Sequence, residues 1–209
     1  MAGDLDPRVE QVLAEYDARS AKERPHHEAG WDADDRRDQL LLRVGPETGR
    51  LLNILIKGAR AQRILEIGTS YGYSTVWLAE AARATGGRVM TLDLAQYKQD
   101  YARERLARAG LAEEVEWHTG DALELLRRMP GPFDFVLIDL WKDLYIPCFE
   151  LLVPKLAPRA LVVADNMLYP PHALPDANAY RARVRREPKF ESVLLEVGSG
   201  IEVSRYAPG

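Results

Sequence analysis

The 209 residues predict an α/β fold, a doubly wound and mostly parallel sheet with helices on both faces and an antiparallel hairpin at its C-terminal end. Three observations lead there. Short apolar runs alternate with helical patterns five times between residues 63 and 165, the signature of successive βαβ units. Each run ends in a glycine or an acid, at Gly68, Asp93, Gly120–Asp121, Asp139 and Asp165. Phe190 to Val197 and Ile201 to Tyr206 then flank Gly198, Ser199 and Gly200, which is a hairpin pattern.

Taken in order, residues 1–43 read as a helical extension and 44–209 as the main domain. Val9, Val12, Leu13 and Tyr16 have helical spacing, predicting a helix from Pro7 to about Lys22 with an irregular stretch after it. His26, His27 and Glu28 carry metal-ligand chemistry, but neighbouring histidines on a loop read first as solvated side chains. Leu51, Leu52, Leu55 and Ile56 give a second helix ending near Gly58. Strands are expected at 63–67, 88–93, 115–118, 133–138 and 160–164. Helices are expected at about 73–84, 95–109, from Ala122 to before Pro130, 145–156 and 178–186. The proline-bearing stretch 167–177 reads as a loop.

The stretch Leu65 to Ser74, LEIGTSYGYS, organises the chain as a buried strand, a turn bracketed by Gly68 and Gly72, and a helix start. A dinucleotide fingerprint requires glycine where Ser70 and Tyr73 stand, which argues against a pyrophosphate and for a nucleoside without one. In parallel sheets of this kind ligands lie beyond the carboxyl ends of the strands, so Gly68, Asp93, Asp121, Asp139, Asp165 and Asn166 form the candidate rim.

Composition narrows the classes. The net charge is −4 with both signs mixed, so neither nucleic acid nor an anionic membrane is an expected partner. Arg181, Arg183, Arg185 and Arg186 read as a solvated helix face. One cysteine, Cys148, excludes an internal disulfide and a CxxC metal site. The first residues lack a signal-like pattern and no apolar run approaches a membrane span, so a cytoplasmic protein is expected.

Three stretches together resemble one family: LEIGTSYGYS (65–74), LIDLWKDLYIP (137–147) and VADN (163–166). The chain resembles the class I S-adenosylmethionine-dependent methyltransferases, in the branch of the cation-dependent catechol and caffeoyl-CoA O-methyltransferases, from about Val44 to Tyr206. The resemblance implies a Rossmann-like seven-stranded sheet, S-adenosylmethionine (SAM) as cofactor, and Mg²⁺ or another divalent cation. It implies that the Val44 main chain, Glu66, Gly68, Gly72, Ser74, Asp93, Asp121, Ala122 and Asp139 line the cofactor. Asp93 would accept the ribose hydroxyls, Glu66 would face the methionyl ammonium, and Ser74 would meet the carboxylate. Asp121 reads equally as a helix N-cap. Asp139, Asp165 and Asn166 are implied as hard oxygen ligands, although Asp-Asn after a strand is also ordinary turn chemistry.

Lys142 is the implied general base. Trp141, Lys142, Asn166 and Tyr169 are the implied acceptor contacts, with His172 a further candidate in the same loop. The animal catechol enzymes place another glutamate where Val193 stands, so the acceptor itself is left open. Members of the branch are commonly homodimers, so a homodimer with a phenolic or catechol-type small-molecule acceptor is the expectation. Competing readings are an O-methyltransferase of a non-catechol or sugar hydroxyl, an NAD-dependent oxidoreductase and a non-catalytic SAM-binding protein.

Overall fold

The computed structural model describes residues 5–28 and 39–208. The elements are α1 (Pro7–Glu28), α2 (Pro46–Ala59), β1 (Arg63–Ile67), α3 (Tyr73–Thr85), β2 (Arg88–Asp93), α4 (Gln96–Arg108) and β3 (Val115–Thr119). After them come α5 (Ala122–Arg128), β4 (Phe133–Ile138), α6 (Tyr145–Leu152), β5 (Leu156–Ala164), α7 (Leu174–Arg185), β6 (Phe190–Leu195) and β7 (Ile201–Tyr206). They build one seven-stranded sheet in the order β3-β2-β1-β4-β5-β7-β6. The first five strands are parallel, and β7 pairs antiparallel with both β5 and β6.

Alternate residues of each strand feed two cores, as the two-residue strand period requires. Ile64, Leu137, Val163 and Ile201 face a core shared with α1, α2 and α3. Leu65, Ile67, Val136, Ile138 and Val162 face α5, α6 and α7. Among the described residues, no helix is long and apolar enough to cross a membrane.

Four boundaries differ from the sequence reading. α1 continues to Glu28, and the metal reading of His26, His27 and Glu28 concerns side chains outside those described. α6 ends at Leu152, and β5 starts earlier, at Leu156. The loop 167–177 is shorter than expected because α7 begins at Leu174. Pro175 sits in the first turn of that helix, where its missing N–H has no intrahelical partner to lose.

The strand ends are tied in sequence across the rim. Gly120 N–H bonds to the Asp93 carbonyl, and the Gly68 and Thr69 N–H groups bond to Leu92. Asp139 N–H bonds to Ile67 and Asp165 N–H to Ile138. This staircase of main-chain bonds fixes where each polar end residue stands.

Candidate active site

The turn after β1 is held by packing as much as by any ligand. Gly68 has φ 108°, and a Cβ there would lie 1.9 Å from the Asp139 carbonyl oxygen. Gly72 has φ 88°, and its Cβ would lie 2.6 Å from Ala102 Cβ on α4. Both positions therefore require glycine even before a cofactor is considered.

Glu66 is fully buried beneath this turn. Its carboxylate accepts from the Ser74, Thr75 and Thr91 hydroxyls, each at 2.6 Å. Burial pushes the carboxyl up to about 7, while the three hydroxyls oppose that rise. Ser74 thus directs its proton inside the chain. Thr91 also lies 2.6 Å from Thr69 Oγ1, and Gln99 Nε2 donates to Thr69 Oγ1 and to the His118 carbonyl. Gln99 Oε1 accepts from Thr119. One hydrogen-bonded web therefore joins the ends of β1, β2 and β3 to α3 and α4. Gln99 carries no recognisable motif, and sequence reading passed over it.

Asp93 closes β2 and accepts from Ser70 N–H at 2.7 Å and from Ala95 N–H at 2.8 Å. The acid is thereby aimed at the same turn from the β2 side. Asp121 is exposed and caps α5 through Glu124 N–H at 2.9 Å, with Ala122 as the first helical residue. Val44 is buried just ahead of α2.

Across the sheet, β4 and β5 deliver a second cluster. Asp165 is 1% exposed, and its Oδ1 has no hydrogen-bond partner among the described residues. Burial raises the Asp165 carboxyl well above the usual range, and the Asp139 charge adds to the rise. Asp139 is likewise raised by burial, with Lys142 opposing. Burial lowers Lys142, with Asp139 and Asp165 opposing that shift. Lys142 Nζ donates to Tyr145 OH at 2.5 Å, Asn166 Oδ1 at 3.1 Å and the Leu140 carbonyl at 3.3 Å. Tyr145 OH in turn donates to the Asp165 carbonyl at 3.2 Å. Lys142 is therefore a fixed, partly buried amine. Asn166 turns the chain at φ 56°.

Among the described residues no group of three or more His, Cys, Asp or Glu side chains is placed to hold a metal. Asp139, Asp165 and Asn166 offer two carboxylates and one amide oxygen. Trp141 is 54% exposed, Tyr169 is about half exposed, and His172 lies at the surface of the short turn before α7. Val193 stands half exposed on β6.

The O-methyltransferase family profile matches residues 31–206. A catechol O-methyltransferase of Niastella koreensis is 34% identical over 155 residues, covering 72% of this chain and 69% of that protein. A catechol O-methyltransferase of Mycobacterium tuberculosis is 34% identical over 169 residues, covering 80% and 76%. The crystal structure of a Bacillus cereus O-methyltransferase in complex with SAH superposes with a TM-score of 0.76 at 28% identity, covering 99% of this chain and 93% of that one. The Streptomyces achromogenes O-methyltransferase TomG, in complex with SAM, gives 0.77 at 28% identity over 94% and 90%. The chain therefore belongs to the O-methyltransferase family and is a SAM-dependent O-methyltransferase.

Proposed function

We propose that this enzyme methylates one hydroxyl of a vicinal dihydroxy aromatic small molecule, with a divalent cation held by Asp139, Asp165 and Asn166. The observation that carries the reading is the unpartnered, buried Oδ1 of Asp165 beside a second raised carboxylate. A carboxylate that is 1% exposed, beside a second, half-buried one whose charge repels it, fits a hard divalent cation. Such an ion would supply charge stabilisation and lower the pKa of a bound hydroxyl.

The chain's own residues account for the remaining steps. The turn from Gly68 to Gly72, the Val44 main chain, Asp93 and the Asp121–Ala122 helix start would cradle SAM. Lys142, whose pKa burial depresses, would take the phenolic proton onto Nζ. Bound SAM would supply the sulfonium methyl, and the phenolate oxygen would take it, the new C–O bond replacing the S–CH₃ bond, whose electron pair would stay on sulfur in S-adenosylhomocysteine. Trp141 and Tyr169 offer exposed aromatic faces to a flat acceptor.

Methyl transfer from labelled SAM to catechols, caffeoyl esters and matched monophenols, with Mg²⁺ and with EDTA, tests this reading. Transfer to vicinal diols that EDTA abolishes is the expected result. Transfer that ignores EDTA would remove the cation from the account. Transfer only to isolated hydroxyls would point instead to a non-catechol acceptor.

A further inference from the structure

The apolar stripe of α1 (Val9, Val12, Leu13 and Tyr16) is buried in the core it shares with α2 and α3, and this suffices to dock the helix. Beyond that stripe, α1 makes contacts that docking does not need. Arg19 and Glu23 lie one helical turn apart, and Arg19 Nε donates to Glu23 Oε1 at 2.7 Å. Arg19 Nη2 donates to the Gln39 carbonyl at 2.8 Å, and Glu23 Oε2 accepts Leu41 N–H at 2.6 Å. The same guanidinium lies 4.0 Å from the Tyr71 ring centroid and 5.1 Å from that of Tyr101. One turn earlier, Tyr16 OH donates to the Tyr71 carbonyl at 2.5 Å. Asp17 pairs with Arg43, whose guanidinium lies 5.0 Å from the Tyr73 ring centroid.

These contacts converge on two places. One is the Gly68–Gly72 turn, through Tyr71. The other is the segment 39–44 that leads into α2. We propose that the Arg19–Glu23 pair is a positioning device for the cofactor, joining segment 39–44 to the glycine turn from a helix outside the sheet. It rests on the reading above that Val44 and the turn flank SAM.

The physical reason is entropic. Leu41 and Val44 anchor segment 39–44 by their side chains, and main-chain bonds to Arg19 and Glu23 narrow the positions its backbone can take beside the turn. A clamp of this kind raises the competent fraction, and apparent affinity follows that fraction. Both side chains are mostly covered, at 22% and 17% exposure, so solvent screens the pair less than an open surface pair.

Calorimetric titration of SAM into the full chain, with melting temperatures alongside, tests the proposal. Arg19→Ala and Glu23→Ala should each weaken SAM binding by about tenfold. The double variant should be little worse than either single one, because both residues act through one clamp. Glu23→Gln keeps an oxygen for Leu41 N–H but turns an amide NH2 toward Arg19 Nε, so it should recover only part of the affinity lost in Glu23→Ala, with a melting temperature near that of the parent. Unchanged SAM affinity in both alanine variants would overturn the proposal. So would a loss of affinity that only tracks the loss in melting temperature across Arg19→Ala, Glu23→Ala and Glu23→Gln. Asp93→Ala separates the two readings. If it leaves SAM affinity intact, the pocket assignment falls and the clamp with it. If it weakens SAM while Arg19→Ala and Glu23→Ala do not, the clamp alone falls.

Discussion

The two halves of the strand-end rim handle charge in opposite ways. On the β1–β3 side the fully buried Glu66 is saturated by three hydroxyls, and Thr69, Thr91 and Gln99 extend the bonding to three strands. On the β4–β5 side Asp139, Asp165 and Lys142 act on one another electrostatically, and Asp165 Oδ1 has no hydrogen-bond partner among the described residues. A network of neutral donors around one carboxylate is complete in itself. Two neighbouring carboxylates, one of them buried with an oxygen left without a hydrogen bond, can gain from a cation that joins them. The contrast separates a half whose polar groups are satisfied within the chain from a half in which, on the function proposed above, a cation and the reactants would offset the carboxylate repulsion.

The largest expected effect breaks the second half. Lys142→Met should lower kcat by roughly 10²–10⁴-fold, the usual worth of a positioned general base, with SAM affinity largely kept. A single-turnover assay at saturating SAM checks it, and an unaltered rate would remove Lys142 as the base.

The next sharpens the first half through pH. Glu66 is raised from 4.5 to about 7, so between those values the folded state binds more protons than the unfolded state. The Glu66 contribution to the stability of the cofactor-free protein should therefore fall by about 3 kcal/mol as pH rises through that window and level off above it, beside contributions of the same sign from Asp139 and Asp165. Glu66→Gln should make the curve shallower between pH 4.5 and 7, leaving the slope that Asp139 and Asp165 contribute. Urea titrations from pH 4.5 to 8 measure both, and parallel curves would show that Glu66 is not the group responsible.

A smaller effect tests the stored charge. Asp165→Asn should stabilise the cofactor-free fold by roughly 1–2 kcal/mol while depressing methyl transfer, since it relieves a buried repulsion that function uses. Thermal melts read the first part, and a lowered melting temperature would contradict it. The smallest expected effect belongs to Gln99→Leu, at about 1 kcal/mol of stability, with SAM affinity weakened only a few fold. An acceptor affinity shifted as much as that for SAM would show that the two halves are not independent.

The rim was legible in the sequence because its logic is one-dimensional. Apolar runs stop at a glycine or an acid, and β2 and β4 fall where Asp93 and Asp139 mark their ends. The start of α7 was not legible. Pro170, Pro171 and Pro175 look like loop chemistry, and only the docking of Ala177, Tyr180 and Val184 into the core shows that a helix is already running at Leu174. Glu66 could be placed beside the turn, but its three hydroxyl partners come from α3 and β2 and meet only after folding. The clamp role of Arg19 was hidden for the same reason, because Gln39 and Tyr71 lie 20 and 52 positions away in the sequence. Charged residues on a helix give no signal of which main-chain groups they will find.

The order of the last three strands also sets a timetable for synthesis. β7 is made last, yet it is the strand that pairs with β5 and with β6. Until Ile201 to Tyr206 have emerged from the ribosome, β5 has an open edge beside Asp165, and β6 has no place in the sheet. Met167 and Leu168 also wait, since their N–H groups bond to Gly200 and Ser199. The nascent chain can therefore assemble its β1–β3 half well before its β4–β5 half is framed, and a ribosome stalled before residue 201 would hold an exposed edge prone to mispairing.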